Sequence, residues 1–479
     1  MASLRACHYF NIKANIVTMK KCLLFLATAL LMCSTVLAQS SNESEKIKSE
    51  KPKTEKPKKF HLKVYGFVRN YFNYDSRNTY YVCGGEYNMI PKDEELDING
   101  DDLNAVPSAH FLALSTRVGL NLYGPRVWGA ETSGKIEGDF AGFGSNNSVF
   151  RIRQAYVKLT WNNDEDKTYG DLLLGQTWHP LSGDIMPEVL GMAAGAPFRA
   201  HSRTPQLRYQ WYSGRFGFTA SALYQLQYMN QGPSMTLAAD KKSFSVKGTN
   251  STSFANHAIV PELFLGLNFK DDHFYVQLGG DVQTIRPRTE GYILTEDGTY
   301  GKIKVDELLT CFTPTVYFQY VANRFSVKLR SIYAANTSHV NQLMSGYGVT
   351  GINEDGSWDY TPLRNTVNYL DFAYKLGKNK NYRINLFLGY MQNLGLAKDA
   401  ELVAAGTNNL PLFCKGNYTN IHSIYRVAPS VSYNLKHFNF GLEYELTGVR
   451  YGKLETTGLV TPERNIINHR ICALVKYNF

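Results

Sequence analysis

From residue 60 to the end of the chain, hydrophobic and polar side chains alternate with a period of two in segments of about ten residues. That length suits a tilted strand that crosses a bilayer. The clearest segment is the last one, 471–479. One of its faces is apolar and carries Ile471, Ala473, Val475, Tyr477 and Phe479. The alternation therefore predicts strands with one lipid-facing side.

The same template predicts sixteen strands between residues 60 and 479. They cover residues 61–74, 111–123, 128–140, 150–161, 169–178, 204–211, 216–228, 259–270, 274–285, 306–320, 325–334, 361–375, 382–394, 421–435, 438–449 and 466–479. The final segment ends on an aromatic residue of its apolar face, which is typical of the C-terminal strand of outer-membrane barrels.

The connections between these strands alternate between short and mostly long. The short ones lie at 212–215, 271–273, 322–324, 377–381 and 436–437, and the long ones include 75–107, 179–203, 229–257, 335–360 and 395–420. A membrane barrel with tight periplasmic turns and extended surface loops requires this rhythm, whereas a soluble β-sandwich does not. The sequence thus predicts an all-β fold, a transmembrane antiparallel β-barrel with both termini on the periplasmic side.

The N-terminal region is typical of an exported protein. Lys20 and Lys21 precede an apolar stretch, and 36–38 (Val-Leu-Ala) supplies a small-residue cleavage site. We expect a signal peptide over 1–38, cleaved near Ala38, with Met19 as the true initiator. Residues 39–59 are charged and rich in Ser and Pro, so we expect a periplasmic tether there. No stretch of about 18 apolar residues follows, so a membrane-spanning chain must form a closed barrel over 60–479.

Composition supports strands and excludes some functions. The chain has 32 Tyr, 26 Phe and 39 Gly, a mixture suited to strands, aromatic girdles and tight turns. Its 51 basic residues include four in residues 1–38, which leaves 47 against 41 acidic ones. That balance gives no support for nucleic-acid binding. Cys83, Cys311, Cys414 and Cys472 lack metal-site spacing, so we expect no metal and no cofactor, and the choice between disulfides and free thiols stays open.

The alternation also predicts which side chains face the lumen, because the apolar side of each strand must face lipid. The expected lumen residues are Arg69, Arg117, Arg208, Arg330, Arg383, Arg426, Arg470, Glu131, Glu137 and Asp139. An arc of arginines in a wet pore concentrates anions and binds carboxylates, which favours anionic solutes. The alternative is that the lumen carboxylates neutralise the arginines and leave a weakly selective channel.

Two segments depart from the simple pattern. In 150–161, Val157, Leu159 and Trp161 place odd positions outside, which would expose Arg151 and Arg153. Either a bulge changes the phase or these arginines lie outside the bilayer, and we favour a bulge or a contact between protomers. The outer loop 179–203 contains Ile185, Met186, Val189, Leu190 and Met192, so it is a candidate constriction loop that folds inward. An ordinary loop packed on the rim is the alternative.

Several motifs carry a family resemblance. They are 64–75 (VYGFVRNYFNYD), 134–140 (GKIEGDF), 150–156 (FRIRQAY), 175–178 (GQTW) and 203–209 (RTPQLRY). Together they resemble the DcaP-like porins, in the form common among Bacteroidota, over residues 60–479. The resemblance implies a sixteen-stranded trimeric porin, and the namesake branch of the family favours dicarboxylates. The tether here is rich in Lys, Glu and Pro rather than heptad-patterned, so a coiled-coil extension is not expected.

These observations predict a porin of the bacterial outer membrane, in contact with lipid and lipopolysaccharide, and the family resemblance implies that it assembles as a homotrimer. We expect it to give passive diffusion of small hydrophilic, carboxylate-type anions. The alternatives are a surface-binding or structural barrel, and an outer-membrane enzyme. We do not expect an enzyme, because neither a Gly-x-Ser-x-Gly elbow nor an H-E-x-x-H motif occurs.

Overall fold

The structure is a computed structural model that describes residues 60–142, 149–183, 185–191, 195–397, 399–407 and 410–479. The expected signal peptide (1–38) and tether (39–59) lie outside these described residues.

The strands follow the alternation of apolar and polar positions along the chain. In the first half they are β1 (His61–Asp75), β2 (Thr79–Val82), β3 (Tyr87–Pro91), β4 (Ser108–Leu112), β5 (Arg117–Tyr123), β6 (Glu131–Asp139), β7 (Arg151–Asn163), β8 (Thr168–Trp178), β9 (Arg203–Ser213), β10 (Phe216–Leu223), β11 (Asn230–Leu237) and β12 (Phe244–Ser251). A four-residue helix, α1 (Ser253–Asn256), follows β12.

The second half continues the same pattern. Its strands are β13 (Glu262–Lys270), β14 (Phe274–Ile285), β15 (Glu290–Leu294), β16 (Tyr300–Lys304), β17 (Leu309–Val321), β18 (Phe325–Ala335), β19 (Gly346–Ile352), β20 (Trp358–Leu376), β21 (Tyr382–Asn393), β22 (Leu412–Cys414), β23 (Ile421–Leu435), β24 (Phe438–Leu454) and β25 (Val460–Asn478).

Sixteen of the described strands form a closed antiparallel barrel, as the sequence predicts. In order around the barrel they are β1, β5, β6, β7, β8, β9, β10, β13, β14, β17, β18, β20, β21, β23, β24 and β25. The last strand closes the barrel on the first, with Phe67 opposite Asn478 and Asp75 opposite Arg470. Several predicted bounds were wrong. The segment 216–228 ends as a strand at Leu223, and 111–123 is split between β4 and β5. Of the last two strands, β24 extends to Leu454 rather than ending at 449, and β25 begins at Val460 rather than at 466.

The two faces of the barrel wall differ as the parity argument requires. On β1, outward side chains are apolar and exposed, with Val64 53% and Phe72 47% exposed, whereas the inward Tyr71 and Asn73 are fully buried. This outer band is what a lipid-facing surface needs. One side chain departs from the prediction: Ala130 does not face lipid, because it is buried in the turn before β6, where its N–H donates to the Val127 carbonyl oxygen.

The chain end completes the closure of the barrel. The N–H of Phe479 donates to the carbonyl oxygen of Gly66, and the N–H of Gly66 donates to that of Phe479, both at 3.1 Å. A Cβ at position 66 would lie 2.6 Å from the Phe479 ring and 2.5 Å from the Arg117 carbonyl oxygen. Gly66 therefore makes room for the terminal aromatic ring on the outer face.

The bulge expected in the fourth predicted strand is present. The pairing of β6 with β7 shifts register between Glu137, opposite Gln154, and Gly138, opposite Ile152. Ile152 and Val157 both face outward as a result, although one occupies an even position in the sequence and the other an odd one. Because the extra residue changes the phase, Arg151 and Arg153 both turn inward.

Short hairpins that are not part of the barrel wall belong to the connections between its strands. β2 pairs with β3, β11 with β12, and β15 with β16, while β19 and β22 extend the sheet above β20. Cys83, Cys311, Cys414 and Cys472 are free thiols. Among the described residues, no helix is both long and apolar enough to span a membrane.

Candidate functional site

The loop between β8 and β9 (residues 179–202, the constriction loop) folds into the lumen. Its Leu190 N–H donates to Glu443 Oε2 on β24 at 2.8 Å, and the Tyr71 hydroxyl on β1 donates to the Leu190 carbonyl oxygen at 2.9 Å. The loop therefore crosses from its own strands to the far wall. Leu190, one of the apolar residues that predicted an inward fold of this loop, is 5% exposed. Met192, another of them, lies outside the described residues.

Glu188 anchors the tip of the constriction loop to two cations of the wall. Its carboxylate lies 2.8 Å from Lys328 Nζ and also accepts from Arg383 Nη1. Its N–H donates to Asp371 at 3.0 Å. Burial raises the pKa of Glu188, but Lys328 and Arg383 outweigh that effect and hold the pKa below its usual value. The predicted lumen residue Arg383 thus binds the tip of the constriction loop.

A second segment, the β2–β3 hairpin (residues 79–91, the lumen hairpin), also lies inside the barrel. Arg470 Nη2 donates to the Gly85 and Glu86 carbonyl oxygens at 2.7 and 3.1 Å. Arg426 Nη2 donates to the Met89 carbonyl oxygen at 3.1 Å, and its Nη1 donates to Ala196 of the constriction loop at 2.9 Å. These two arginines hold loop backbone, and each is 3% exposed.

Arg208 and Arg330 hold the root of the constriction loop. Arg208 Nη2 donates to the Trp178 carbonyl oxygen at 2.5 Å, and Arg330 Nη2 donates to that of Pro180 at 3.1 Å. Backbone carbonyls buried away from water need such donors, and charged donors make the stronger hydrogen bonds. With Arg383 at the loop tip, five of the seven predicted arginines therefore position loops in the lumen, the other four being Arg208, Arg330, Arg426 and Arg470.

The inward carboxylates of β6 pair with the arginines of the β7 bulge. Arg153 lies 2.9 Å from Glu137 and 2.6 Å from Asp139, and Arg151 lies 2.7 Å from Asp139. The third predicted acidic residue, Glu131, lies apart from them at the exposed periplasmic start of β6. The pairing of Glu137 and Asp139 matches the alternative in which lumen charges neutralise one another locally.

A cationic cluster with fewer counter-charges surrounds the Phe67 ring. The guanidinium carbons of Arg69 and Arg117 lie 4.7 and 4.9 Å from its centroid, and Lys476 Nζ lies 5.4 Å away. Arg117 approaches Glu137 only to 3.7 Å. Among the described carboxylates, none lies within ion-pair distance of Arg69 or Lys476. We call Phe67, Arg69, Arg117 and Lys476 the Phe67 cluster.

The Phe67 cluster lies next to the tip of the constriction loop. Arg69 also contacts the Tyr71 ring, at 5.6 Å from guanidinium carbon to centroid, and the Tyr71 hydroxyl binds the loop at Leu190. The site thus combines a narrowed lumen with an excess of positive charge on β1, β5 and β25. It can attract and contact a small anion without desolvating it fully.

Two histidines and a glutamate meet at the outer end of β13. His179 Nε2 and His339 Nε2 lie 2.7 and 2.9 Å from Glu262 Oε1, which are hydrogen-bond distances, and potential ligand atoms of the three residues lie within 4.8 Å of one another, as around a metal ion. However, the Leu181 N–H donates to His179 Nδ1 at 3.1 Å, so the proton of the neutral ring is on Nε2. This pattern favours a hydrogen-bonded clamp of the loops over a metal centre.

A closed sixteen-stranded barrel with an apolar outer band, tight turns at one rim and a loop folded into a charged lumen is the architecture of outer-membrane porins. The outer membrane channel DcaP of Acinetobacter baumannii has a similar structure, with a TM-score of 0.57 and 16% sequence identity over 88% of this chain and 98% of that one. The predicted fold and its likeness to DcaP are confirmed. The Bacteroidota form of the resemblance stays a prediction.

Two other solved structures are similar at lower scores. The anion-selective porin from Comamonas acidovorans has a TM-score of 0.48 and 11% identity over 88% of this chain and 100% of that one. OmpT of Vibrio cholerae has a TM-score of 0.45 and 12% identity over 88% of this chain and 99% of that one. No protein-family model and no curated protein matches the sequence.

Sequence reasoning missed three parts of the site. Phe67 has the inward parity of β1, but an apolar residue there conflicted with the expectation of a polar lumen. Lys476 shares the inward face of the last strand with Arg470, so the parity signal that found the arginines could have found it as well. The lumen hairpin gave no signal, because alternation over four or five residues does not show where a hairpin packs.

Proposed function

We propose that this protein is a passive porin through which small hydrophilic anions, carboxylates in particular, cross the outer membrane. The observation that carries the proposal is the Phe67 cluster, in which Arg69 and Lys476 lie in the narrowed lumen without a carboxylate partner. Unpaired cations in a water-filled pore raise the local concentration of anions, whereas paired cations largely cancel. Arg151 and Arg153 are paired with Asp139 and Glu137, so they add much less to the local anion concentration than Arg69 and Lys476 do.

The contrast between the two groups of cations supports selective rather than weakly selective transport. If every lumen arginine were paired as Arg153 is, the fixed charges would give little preference for either sign. The Phe67 cluster instead leaves an excess of positive charge beside the loop tip. It also presents guanidinium groups, which bind carboxylates through two parallel hydrogen bonds.

Solute entry into liposomes tests the proposal. Purified protein is reconstituted, and swelling rates are compared for acetate and succinate against organic cations of matched size. We expect the anions to enter faster, and the preference to shrink when Arg69→Gln and Lys476→Gln are combined. Faster entry of the cations would refute anion preference, and absence of swelling with every solute would refute a channel and favour a surface-binding barrel.

We also propose that three copies assemble in the outer membrane, in contact with lipid and lipopolysaccharide, and that the protein is not an enzyme. The sequence resemblance to DcaP-like porins supports the homotrimer, and the exposed apolar band of the barrel supports the lipid contact. Light scattering of the detergent-solubilised protein, corrected for bound detergent, tests the assembly. A mass of one chain would contradict it.

A further inference from the structure

A cavity of about 810 Å³ lies in the periplasmic half of the lumen, beneath the constriction loop. Its position follows from its lining, which includes Gly214 and residues 271–273 of the tight turns, together with Pro180 and Gly183 of the loop. The volume is within the range of sites that bind small molecules. The cavity therefore offers room for a solute on the periplasmic side of the constriction.

The wall of this cavity is mainly uncharged and rich in tyrosine and glutamine. We call it the Tyr/Gln wall, and its members include Tyr169, Gln210, Tyr212, Tyr275, Gln277 and Gln319. It extends over β8, β9, β14 and β17. Because β14 is eight strands from β1 around the sixteen-stranded barrel, this wall lies opposite the Phe67 cluster. The Phe67 cluster thus places unpaired cations on one side of the lumen, whereas the Tyr/Gln wall on the other side is mainly uncharged.

Hydrogen bonds between neighbouring strands hold the Tyr/Gln wall in place. Thr219 Oγ1 accepts from Gln210 Nε2 and from Asn268 Nδ2, both at 2.9 Å. Gln277 Nε2 donates to Asn268 Oδ1 at 2.9 Å and to the Tyr275 hydroxyl at 3.2 Å. The side chains of Gln210, Gln277 and Tyr275 are therefore fixed before any solute arrives, which lowers the entropic cost of binding.

Some polar groups of the wall have unused hydrogen-bonding capacity. Within the part of the chain that the structure describes, the Gln319 amide makes no side-chain hydrogen bond, and the buried Tyr317 hydroxyl has no partner. Two charged side chains of the cavity lining, Asp171 and Arg208, already have partners. Asp171 accepts from the Tyr169 hydroxyl at 2.6 Å, and Arg208 donates to the backbone of Trp178.

We propose that the Tyr/Gln wall binds a neutral polyhydroxylated solute, such as a short oligosaccharide. The flat faces of the tyrosine rings contact the apolar C–H faces of sugar rings, and amide and phenol groups exchange hydrogen bonds with hydroxyls. A neutral solute gains nothing from the opposite cationic wall, so it binds on this side of the lumen. The inference goes beyond anion diffusion and does not depend on it.

Ion-current blocking by maltotriose in planar bilayers tests this inference, with polyethylene glycol of the same hydrodynamic size as the control for simple volume exclusion. We expect maltotriose to reduce the current saturably at concentrations where the polymer has a weaker, linear effect. Equal, linear reductions with both compounds would overturn the proposal.

Variants locate the site. Gln319→Ala removes an amide that makes no side-chain hydrogen bond and is expected to weaken maltotriose binding by about five-fold. Combining it with Tyr275→Ala is expected to weaken binding further. The outward-facing Tyr333→Ala is the matched control and is expected to bind as the unmodified protein does. Heat-modifiable electrophoretic mobility checks that each barrel is folded.

The same variants separate this site from the anion site. Arg69→Gln combined with Lys476→Gln is expected to change ion selectivity and to leave maltotriose binding unchanged. Gln319→Ala is expected to weaken maltotriose binding and to leave ion selectivity unchanged. If Gln319→Ala, folded, bound maltotriose as tightly as the unmodified protein, the assignment to this wall would be wrong.

Discussion

The guanidinium carbon of Arg69 lies 4.7 Å from the centroid of the Phe67 ring, on the inward face of β1. The ring holds the cation in place without neutralising it, because a cation–π contact leaves the net charge unchanged. Arg153, in contrast, contacts both Glu137 and Asp139. Two arginines of the same lumen thus contribute very differently to the field that a solute meets.

Removing the unpaired cations is expected to reduce anion preference. In Arg69→Gln combined with Lys476→Gln, we expect the chloride-to-potassium permeability ratio to fall about three-fold at 0.1 M salt and less at 1 M, where screening shortens to about 3 Å. Reversal potentials of both proteins at the two salt concentrations check this. Lys302→Gln, which removes an exposed lysine paired with Glu290, is the control. An unchanged ratio in the double variant would rule out the Phe67 cluster as the selectivity element.

Glu188 is expected to keep the constriction loop tip in place down to acid pH. Because its pKa is lowered in the folded protein, its contribution to stability is present above the ordinary pKa of the carboxyl and is lost as pH falls through the lowered value. Glu188→Gln should therefore increase current fluctuations at pH 7, and the unmodified protein should reach that state only in strong acid.

Single-channel noise recorded between pH 7 and pH 3 measures this effect. Glu290→Gln is the matched control, because that carboxylate is exposed and contacts Lys302 on an outer hairpin. If Glu188→Gln and Glu290→Gln showed equally low current noise at pH 7, Glu188 would not hold the tip of the constriction loop.

Glu86 is expected to loosen the lumen hairpin as pH rises. Burial raises its pKa to about 7, so the stability linked to its protonated form is full below the ordinary pKa of 4.5 and is lost as pH rises through 7. The corresponding free-energy change is roughly 3 kcal/mol. Glu86→Gln keeps the acceptor for the Ser115 N–H and removes the charge, so the hairpin should stay protected at pH 8.5.

Limited proteolysis at pH 6 and pH 8.5 measures hairpin protection. We expect cleavage within residues 79–91 to accelerate at the higher pH in the unmodified protein but not in Glu86→Gln. Equal acceleration in both proteins would show that another group titrates.

His201 of the constriction loop is expected to lower the stability of the protein as pH falls, whereas Glu86 lowers it as pH rises. Burial, together with the nearby Arg203 and Arg199 guanidinium groups, holds its pKa well below the usual value. The neutral ring therefore contributes stability above about pH 6.5, which is lost as pH falls, by up to about 1.4 kcal/mol per pH unit. Urea unfolding at pH 7.5 and pH 5.5 checks this. His201→Gln should reduce the pH dependence, and an unchanged slope would contradict it.

The sixteen strands were predictable because each is long and must be apolar on its lipid face. The segment 421–435 has the predicted bounds, and 274–285 has them as well. The bulge that turns Arg151 and Arg153 inward was also predictable, since two exposed arginines on a lipid-facing parity would be costly.

The roles of the inward arginines were not predictable from parity. Alternation places Arg426 and Arg470 inside the barrel, but their partners are backbone carbonyls of segments more than 200 residues away in sequence. Which loop enters the lumen depends on tertiary packing that no local pattern encodes. The distinction between loop-holding arginines and the Phe67 cluster therefore required the structure.

The reversal potential of the unmodified protein in a KCl gradient tests the central claim most directly. The Phe67 cluster predicts a potential of the sign given by faster chloride movement, and a smaller magnitude when both compartments contain concentrated salt. A potential of the opposite sign, showing preference for potassium, would contradict the proposal that this porin selects anions.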